Sequence, residues 1–216
     1  RTPIPPEAYD DYLKGRALYR KRQSLMQALA YFDSAVERAP EFAAGWASLA
    51  LTYETVHGYV TPAEVASLGD IGARLRSTSE RAIALAPGSA MSLHVQGNLA
   101  RADFRYAEAE RLYRQAMAVD PTYPDVREDL AQLYNIVGYN DEAVVEVRKL
   151  VALEPFVANF WMPLLQGGTS LDRRDLVDEA IARNPRVALA HYLRGRLLLD
   201  RGDAAAAVPA LETAER

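Results

Sequence analysis

Large apolar side chains, small side chains and prolines return along this chain at a near-constant spacing. Pro40, Pro87, Pro121, Pro155 and Pro185 close five similar phrases and stand 47, 34, 34 and 30 residues apart. A period of about 34 residues ending on proline is that of a helix–turn–helix repeat, in which each unit packs only on its neighbours. With the closing proline set at position 32, the third unit runs from Ala90 to Pro121. It places Gly97 at position 8, Ala109 at 20, Tyr113 at 24 and Ala116 at 27.

The other units follow the same register. The second places Trp46 at 4, Leu49 at 7, Ala50 at 8, Tyr53 at 11 and Ala82 at 27. In the fourth, Leu130, Ala131, Tyr134 and Ala143 stand at 7, 8, 11 and 20. The first, with one extra loop residue, has Gly15 at 8 and then Ala28, Phe32 and Ala35 at 20, 24 and 27. A sixth, unfinished unit offers Gly195, Ala207, Leu211 and Ala214 at 8, 20, 24 and 27.

Large residues at 4, 7, 11 and 24, small ones at 8, 20 and 27, and proline at 32 resemble the tetratricopeptide repeat. The resemblance covers nearly the whole chain and rests on several units that match independently. It implies an all-α fold, a right-handed α-solenoid of about six helix pairs. The units fall near 8–41, 43–88, 90–122, 124–156, 158–186 and 188–216, as a single array in a piece of a longer protein. Gly or Ala at 8 and 20 lets the two helices of a unit cross closely, and Ala at 27 makes the same room for the next unit. Proline at 32 cannot continue the second helix and ends the unit.

Three places depart from the pattern. The second unit carries about thirteen extra residues after Tyr53. Within them Thr61-Pro62-Ala63-Glu64 predicts a helix start, with Thr61 as N-cap, Pro62 at the first helical position and Glu64 closing a capping box. One long helix is expected from about Pro62 to Ala86, with Gly69 the place for a break. The fifth unit is four residues short, keeps Trp161 at 4 and Ala180 at 27, and has Pro163 and Gly167-Gly168 where a first helix belongs. A short helix near 158–166 is expected there, and the defect reads as drift that packing of Trp161 and Leu165 compensates, with a hinge or kink at Gly167-Gly168 as the alternative. The sequence ends at Arg216, three residues before a sixth proline is due, which leaves an uncapped end that a partner, a second copy or further repeats would cover.

Composition narrows the chemistry. The 25 basic and 29 acidic residues give a net charge of −4, which argues against general phosphate neutralisation by this segment. With no cysteine, disulfides and thiolate metal sites are excluded. No apolar run reaches the length of about 18 residues that a membrane helix needs. His57, His94 and His191 lie far apart in a one-dimensional array, so a zinc site is not expected, and neither a phosphate-binding glycine loop nor a Gly-x-Ser-x-Gly elbow occurs. No cofactor and no catalytic activity are expected of this segment. The compartment is open, with the cytoplasm favoured over the periplasm.

The resemblance also implies where a guest would sit. In tetratricopeptide arrays the concave wall is built mainly from first-helix positions 2, 5, 9 and 12–13. Carried over, these give Tyr9, Tyr12, Arg16, Tyr19 and Arg20 in the first unit, and Ala44, Ala47, Leu51 and Glu54 in the second. The third gives His94, Asn98 and Arg101, the fourth Asp125, Glu128, Gln132 and Asn135, and the last Tyr192, Arg196 and Asp200. Amides can bond an extended peptide backbone, tyrosines supply flat contact area, and Arg16 can grip a carboxylate. A peptide or partner-helix scaffold is therefore expected. The chaperone-type carboxylate clamp is not, because its positions hold Tyr12, Arg16, Met91 and Val95. Residues 6–16 and the lengthened second unit further resemble repeat regions of multidomain bacterial signalling proteins. In those, the array follows an adenylate-cyclase, kinase or winged-helix domain. Alternatives are a homo-oligomerisation module and a substrate-docking array for an attached transferase or cyclase domain.

Overall fold

A computed structural model describes residues 3–22, 24–154, 174–183, 185 and 188–215. Among them stand twelve α-helices and no strand. They are α1 (Pro6–Lys21), α2 (Leu25–Arg38), α3 (Ala43–Thr55), α4 (Pro62–Ser67), α5 (Ile71–Leu85) and α6 (Ala90–Ala102). The series continues with α7 (Tyr106–Val119), α8 (Asp125–Val137), α9 (Asn140–Leu153), α10 (Arg174–Arg183), α11 (Ala188–Asp200) and α12 (Ala204–Glu215). They fall into two compact units, residues 1–126 and 127–216. Trp161, Pro163, the expected helix near 158–166 and the Gly167-Gly168 hinge lie outside the described residues.

The prolines set the helix ends. Second helices stop at Arg38, Leu85, Val119, Leu153 and Arg183, each two residues before a closing proline. The residue next to the proline is pushed out of helical geometry by the pyrrolidine ring. Accordingly Ala39, Ala86, Asp120 and Glu154 all turn to extended values, with φ of −136°, −151°, −136° and −137°. The proline carbonyl then tethers the next unit. Trp46 Nε1 donates to Pro40 O at 3.0 Å, and His191 Nε2 lies 2.8 Å from Pro185 O, both from position 4.

Within a unit the helices meet through paired sizes at positions 8 and 24. A Cβ on Gly15 would lie 2.7 Å from the Phe32 ring, and Gly97 and Gly195 are equally closed by Tyr113 and Leu211. Where position 8 is alanine the residue at the partner position is smaller: Ser79 for Ala50, Val147 for Ala131, all buried. In the first unit α1 packs on α2, α3 on α5 and α6 on α7, while α2 meets α3 and α5 meets α6. In the second, Ala131, Val147, Val151, Ala180 and Ala190 share one apolar cluster that joins α8, α9, α10 and α11.

In the insertion the break expected at Gly69 is present, and the single long helix is not. The long helix from Pro62 to Ala86 is two helices, because Gly69 takes φ +71° and Asp70 starts a new N-terminus, accepting from Ala73 N at 2.9 Å. The capping box itself is present: Glu64 N donates to Thr61 Oγ1, and Thr61 N and Oγ1 donate to Glu64 at 2.8 Å. Val60, Val65 and Leu68 pack against the core, so the insertion is docked.

First-helix ends share a device of their own. At position 15 Arg22, Phe104, Gly138 and Gly202 all adopt left-handed φ, of 51°, 61°, 86° and 78°. The next-but-one turn closes over them, with Arg105 N on Ala100 O at 2.8 Å and Asp203 N on Leu198 O at 2.9 Å. This is the Schellman ending, which favours glycine; a side chain there costs on the order of 1 kcal/mol.

Gly15→Ala should cost roughly 1–3 kcal/mol by overpacking, and Phe32→Val roughly 1–3 kcal/mol by leaving a cavity. Urea unfolding of the double variant should show less loss than the sum, a coupling of about 1 kcal/mol, because Ala against Val reproduces the pair found in α8 and α9. A second outcome concerns pH. The Thr61 amide and hydroxyl bonds lower the Glu64 carboxyl pKa below its usual 4.5. A lowered folded pKa stabilises above the ordinary carboxylate range and is lost as pH falls through the lowered value. NMR titration should therefore show the Glu64 pKa rising in Thr61→Ala, with α4 amide protection fading at acid pH in the parent.

Candidate functional site

The first helices α1, α3 and α6 touch one another in sequence, α1 on α3 and α3 on α6, and a polar side-chain network lies where α3 meets α6 in the first compact unit. Its centre is Glu54 on α3. The Glu54 carboxylate accepts from Asn98 Nδ2 and from the Arg101 guanidinium on α6. Asn98 Oδ1 in turn accepts from Tyr113 OH at 2.7 Å, and Arg101 Nε donates to the same hydroxyl at 3.2 Å. The Tyr113 ring meets His94 edge-on at 5.9 Å, and His94 Nδ1 lies 2.8 Å from Tyr123 OH. Thus α3, α6, α7 and the α7–α8 loop are tied by one side-chain network.

Arg16 on α1 faces the same network. Its Nη1 donates to Tyr12 OH at 3.1 Å, and Tyr12 OH reaches Met91 Sδ at 4.0 Å. Burial would lower the Arg16 pKa, but Tyr12, Asp125 and Tyr123 outweigh it and leave the value raised. The guanidinium is held charged and fixed, which is what a fork-shaped grip on a carboxylate requires.

The carried-over residues therefore divide. Arg16 is half-buried, Arg20 exposed, and Arg101 keeps 19% of its side-chain surface. Tyr12, Tyr19, Leu51, His94 and Asn98 are buried, at 8%, 5%, 3%, 0% and 4%. This corrects the picture of an open wall at those five positions. Tyr12 and His94 hold position 5, Leu51 and Asn98 position 9 and Tyr19 position 12, and these buried side chains form the layer beneath the surface. Tyr123 was not among the sequence candidates, and neither was the hydroxyl of Tyr113. The signal available was tyrosine, not phenylalanine, at a position the repeat buries, since a buried phenol needs a partner.

In the second compact unit Gln132 and Asn135 are half-buried on α8, and Tyr192 and Arg196 are exposed on α11. Arg196 Nη1 donates to Tyr192 OH at 3.3 Å, and this bond is the main cause of its raised pKa. The Tyr-x-x-x-Arg pair at positions 5 and 9 thus occurs in both units with the same bond. Among the described residues no group of three His, Cys, Asp or Glu could hold a metal ion, and no helix is long and apolar enough to cross a membrane.

Two family profiles match the sequence, both described as tetratricopeptide repeat, over residues 100–162 and 173–216. The chain is a tetratricopeptide repeat protein. Solved tetratricopeptide-type structures agree in fold. PilW, a widely conserved type IV pilus biogenesis factor, is 17% identical with a TM-score of 0.64, over 95% of this chain and 91% of its own. TTC0263 of Thermus thermophilus, a thermophilic TPR protein, is 22% identical with a TM-score of 0.54, over 74% and 83%. PilF of Pseudomonas aeruginosa is 20% identical with a TM-score of 0.53, over 94% and 89%. At these identities the likeness is one of fold. No curated protein matches the chain in sequence.

Because Glu54 is the shared acceptor of the tetratricopeptide network, Glu54→Ala should cost on the order of 2–3 kcal/mol in urea unfolding. Glu54→Gln, which keeps an acceptor but drops the charge, should cost less than half of that.

Proposed function

We propose that this tetratricopeptide segment is a protein-interaction scaffold that takes a peptide or a partner helix on its first-helix face, within a larger bacterial regulatory protein. The repeated tyrosine-held arginine carries the proposal: Arg16 and Arg196 occupy the same repeat position and are oriented by Tyr12 and Tyr192. A guanidinium fixed before binding loses little rotamer freedom when it meets a guest carboxylate. Gln132 and Asn135 are suited to the guest's main chain, since an amide offers both a donor and an acceptor. The buried layer of Leu51, His94 and Asn98 supports this surface and sets its shape. The regulatory context rests on the likeness of residues 6–16 and of the lengthened second unit to signalling arrays.

Peptides selected from a random display library on the parent chain are the test. Arg16→Ala in the first compact unit, or Gln132→Ala with Arg196→Ala in the second, should weaken the peptides selected on that unit at least tenfold, a change of about 1.4 kcal/mol, in calorimetric titration. Affinity equal to that of the parent would place the site on another face.

A further inference from the structure

Side chains from two hairpins that are not neighbours meet over the first helices. Tyr12 belongs to α1 and Met91 to α6, with α3 between them, yet Tyr12 OH lies 4.0 Å from Met91 Sδ. In a repeat array each hairpin packs on the next, so a contact that skips one needs room above the helix it crosses. The second unit supplies that room. At positions 5 and 9 it has Ala47 and Leu51, where the units on either side carry Tyr12 and Arg16, and His94 and Asn98; its position 2 is Ala44. Ala47 is fully buried and Leu51 keeps 3% of its surface, so this apolar floor is covered.

The two halves of the bridge are held differently. Tyr12 is fixed: its ring stacks on Tyr9 at 5.9 Å, meets Phe42 edge-on at 4.9 Å and lies 6.1 Å from Phe32. Its hydroxyl also accepts from Arg16 Nη1 at 3.1 Å. Met91 is half-buried and reaches Tyr12 with its polarisable sulfur, on an unbranched side chain with several rotatable bonds. A thioether of this kind vacates its place at little cost, whereas Tyr12 keeps its orientation.

We infer that Tyr12 and Met91 form a clasp over an apolar slot floored by Ala44, Ala47 and Leu51, and that this slot takes one apolar side chain of the guest. The inference rests on the reading of the first-helix face as the guest's seat. The incoming side chain replaces the Met91 thioether beside the Tyr12 ring. Methionine and leucine, which exchange with little change of volume, therefore suit the slot best. Arg16 is bonded to the hydroxyl of the same Tyr12, so the guest's carboxylate stands close in sequence to its apolar anchor. A single anchor desolvated in a fitted pocket carries a large share of binding energy.

The probes are peptides from the display library whose affinity drops with Arg16→Ala, added to the whole chain with isotope-labelled methionine methyls. Such a peptide should move the Met91 methyl resonance. Replacing its apolar anchor by alanine should weaken binding roughly tenfold and leave that resonance in place. Met91→Ala, which opens the slot in advance, should tighten the unaltered peptide roughly threefold. Arg16-dependent peptides that need no apolar residue, or that leave the Met91 methyl unmoved, would overturn the slot while the scaffold reading stands. If no selected peptide responds to Arg16→Ala, the scaffold reading fails for this unit and the slot falls with it.

Discussion

Each hairpin among the described residues depends on how closely its two helices can approach at one crossing. A glycine at position 8 lets an aromatic or leucine at position 24 lie flat on the opposing backbone, as Phe32 lies on Gly15 and Tyr113 on Gly97. The energetic content of that contact is dispersion and water exclusion over a large ring surface, and it tolerates no added atom. Sizes are traded across the pair, so that Ala50 is matched with Ser79 and Ala131 with Val147 in the units without glycine. The combined volume is held within bounds while the partners change, as interior packing demands. The proline that follows a second helix then fixes where the next hairpin begins, and the carbonyls of Pro40, Pro87 and Pro185 each meet a side chain from the following first helix.

Close crossing has a consequence for recognition. Successive first helices come near enough to bond through side chains, and the network of Glu54, Asn98, Arg101 and Tyr113 occupies the seam between α3 and α6. A polar network in that place is satisfied within the protein, which fixes its rotamers and leaves the residues above it to meet a guest. Arg16 is held in this way by Tyr12, and its charge is supported by Tyr123 and Asp125. In the proposed reading, stability and recognition are layered within the first compact unit: the buried network sets the geometry, and the Arg16 guanidinium above it is already in place.

Much of the fold was legible because its determinants are local. Proline, glycine and alanine at fixed offsets specify helix ends and helix crossings whatever the solvent-facing residues do, so the hairpins and the capping box at Thr61 and Glu64 follow from spacing alone. Other features depend on neighbours that spacing does not name. The expected single helix from Pro62 to Ala86 gave way at Gly69 because Asp70 could cap a fresh start, a local competition that a glycine penalty alone does not decide. Leu51, His94 and Asn98 hold positions that line a wall in the repeat family, yet burial is decided by how tightly adjacent first helices stack. The left-handed residue at position 15 was hidden in the sequence because its occupants, Arg22, Phe104, Gly138 and Gly202, share a backbone conformation and no side-chain chemistry.

The most direct measurement of the glycine–ring crossing is the proton chemical shift of the glycine α-hydrogens. Aromatic rings stacked over Gly15 and Gly97 should move those resonances well upfield of Gly58 and Gly88, beside which no side chain lies within 4 Å. Ordinary shifts at Gly15 and Gly97, indistinguishable from those of the two open glycines, would contradict the packing on which the whole array is built.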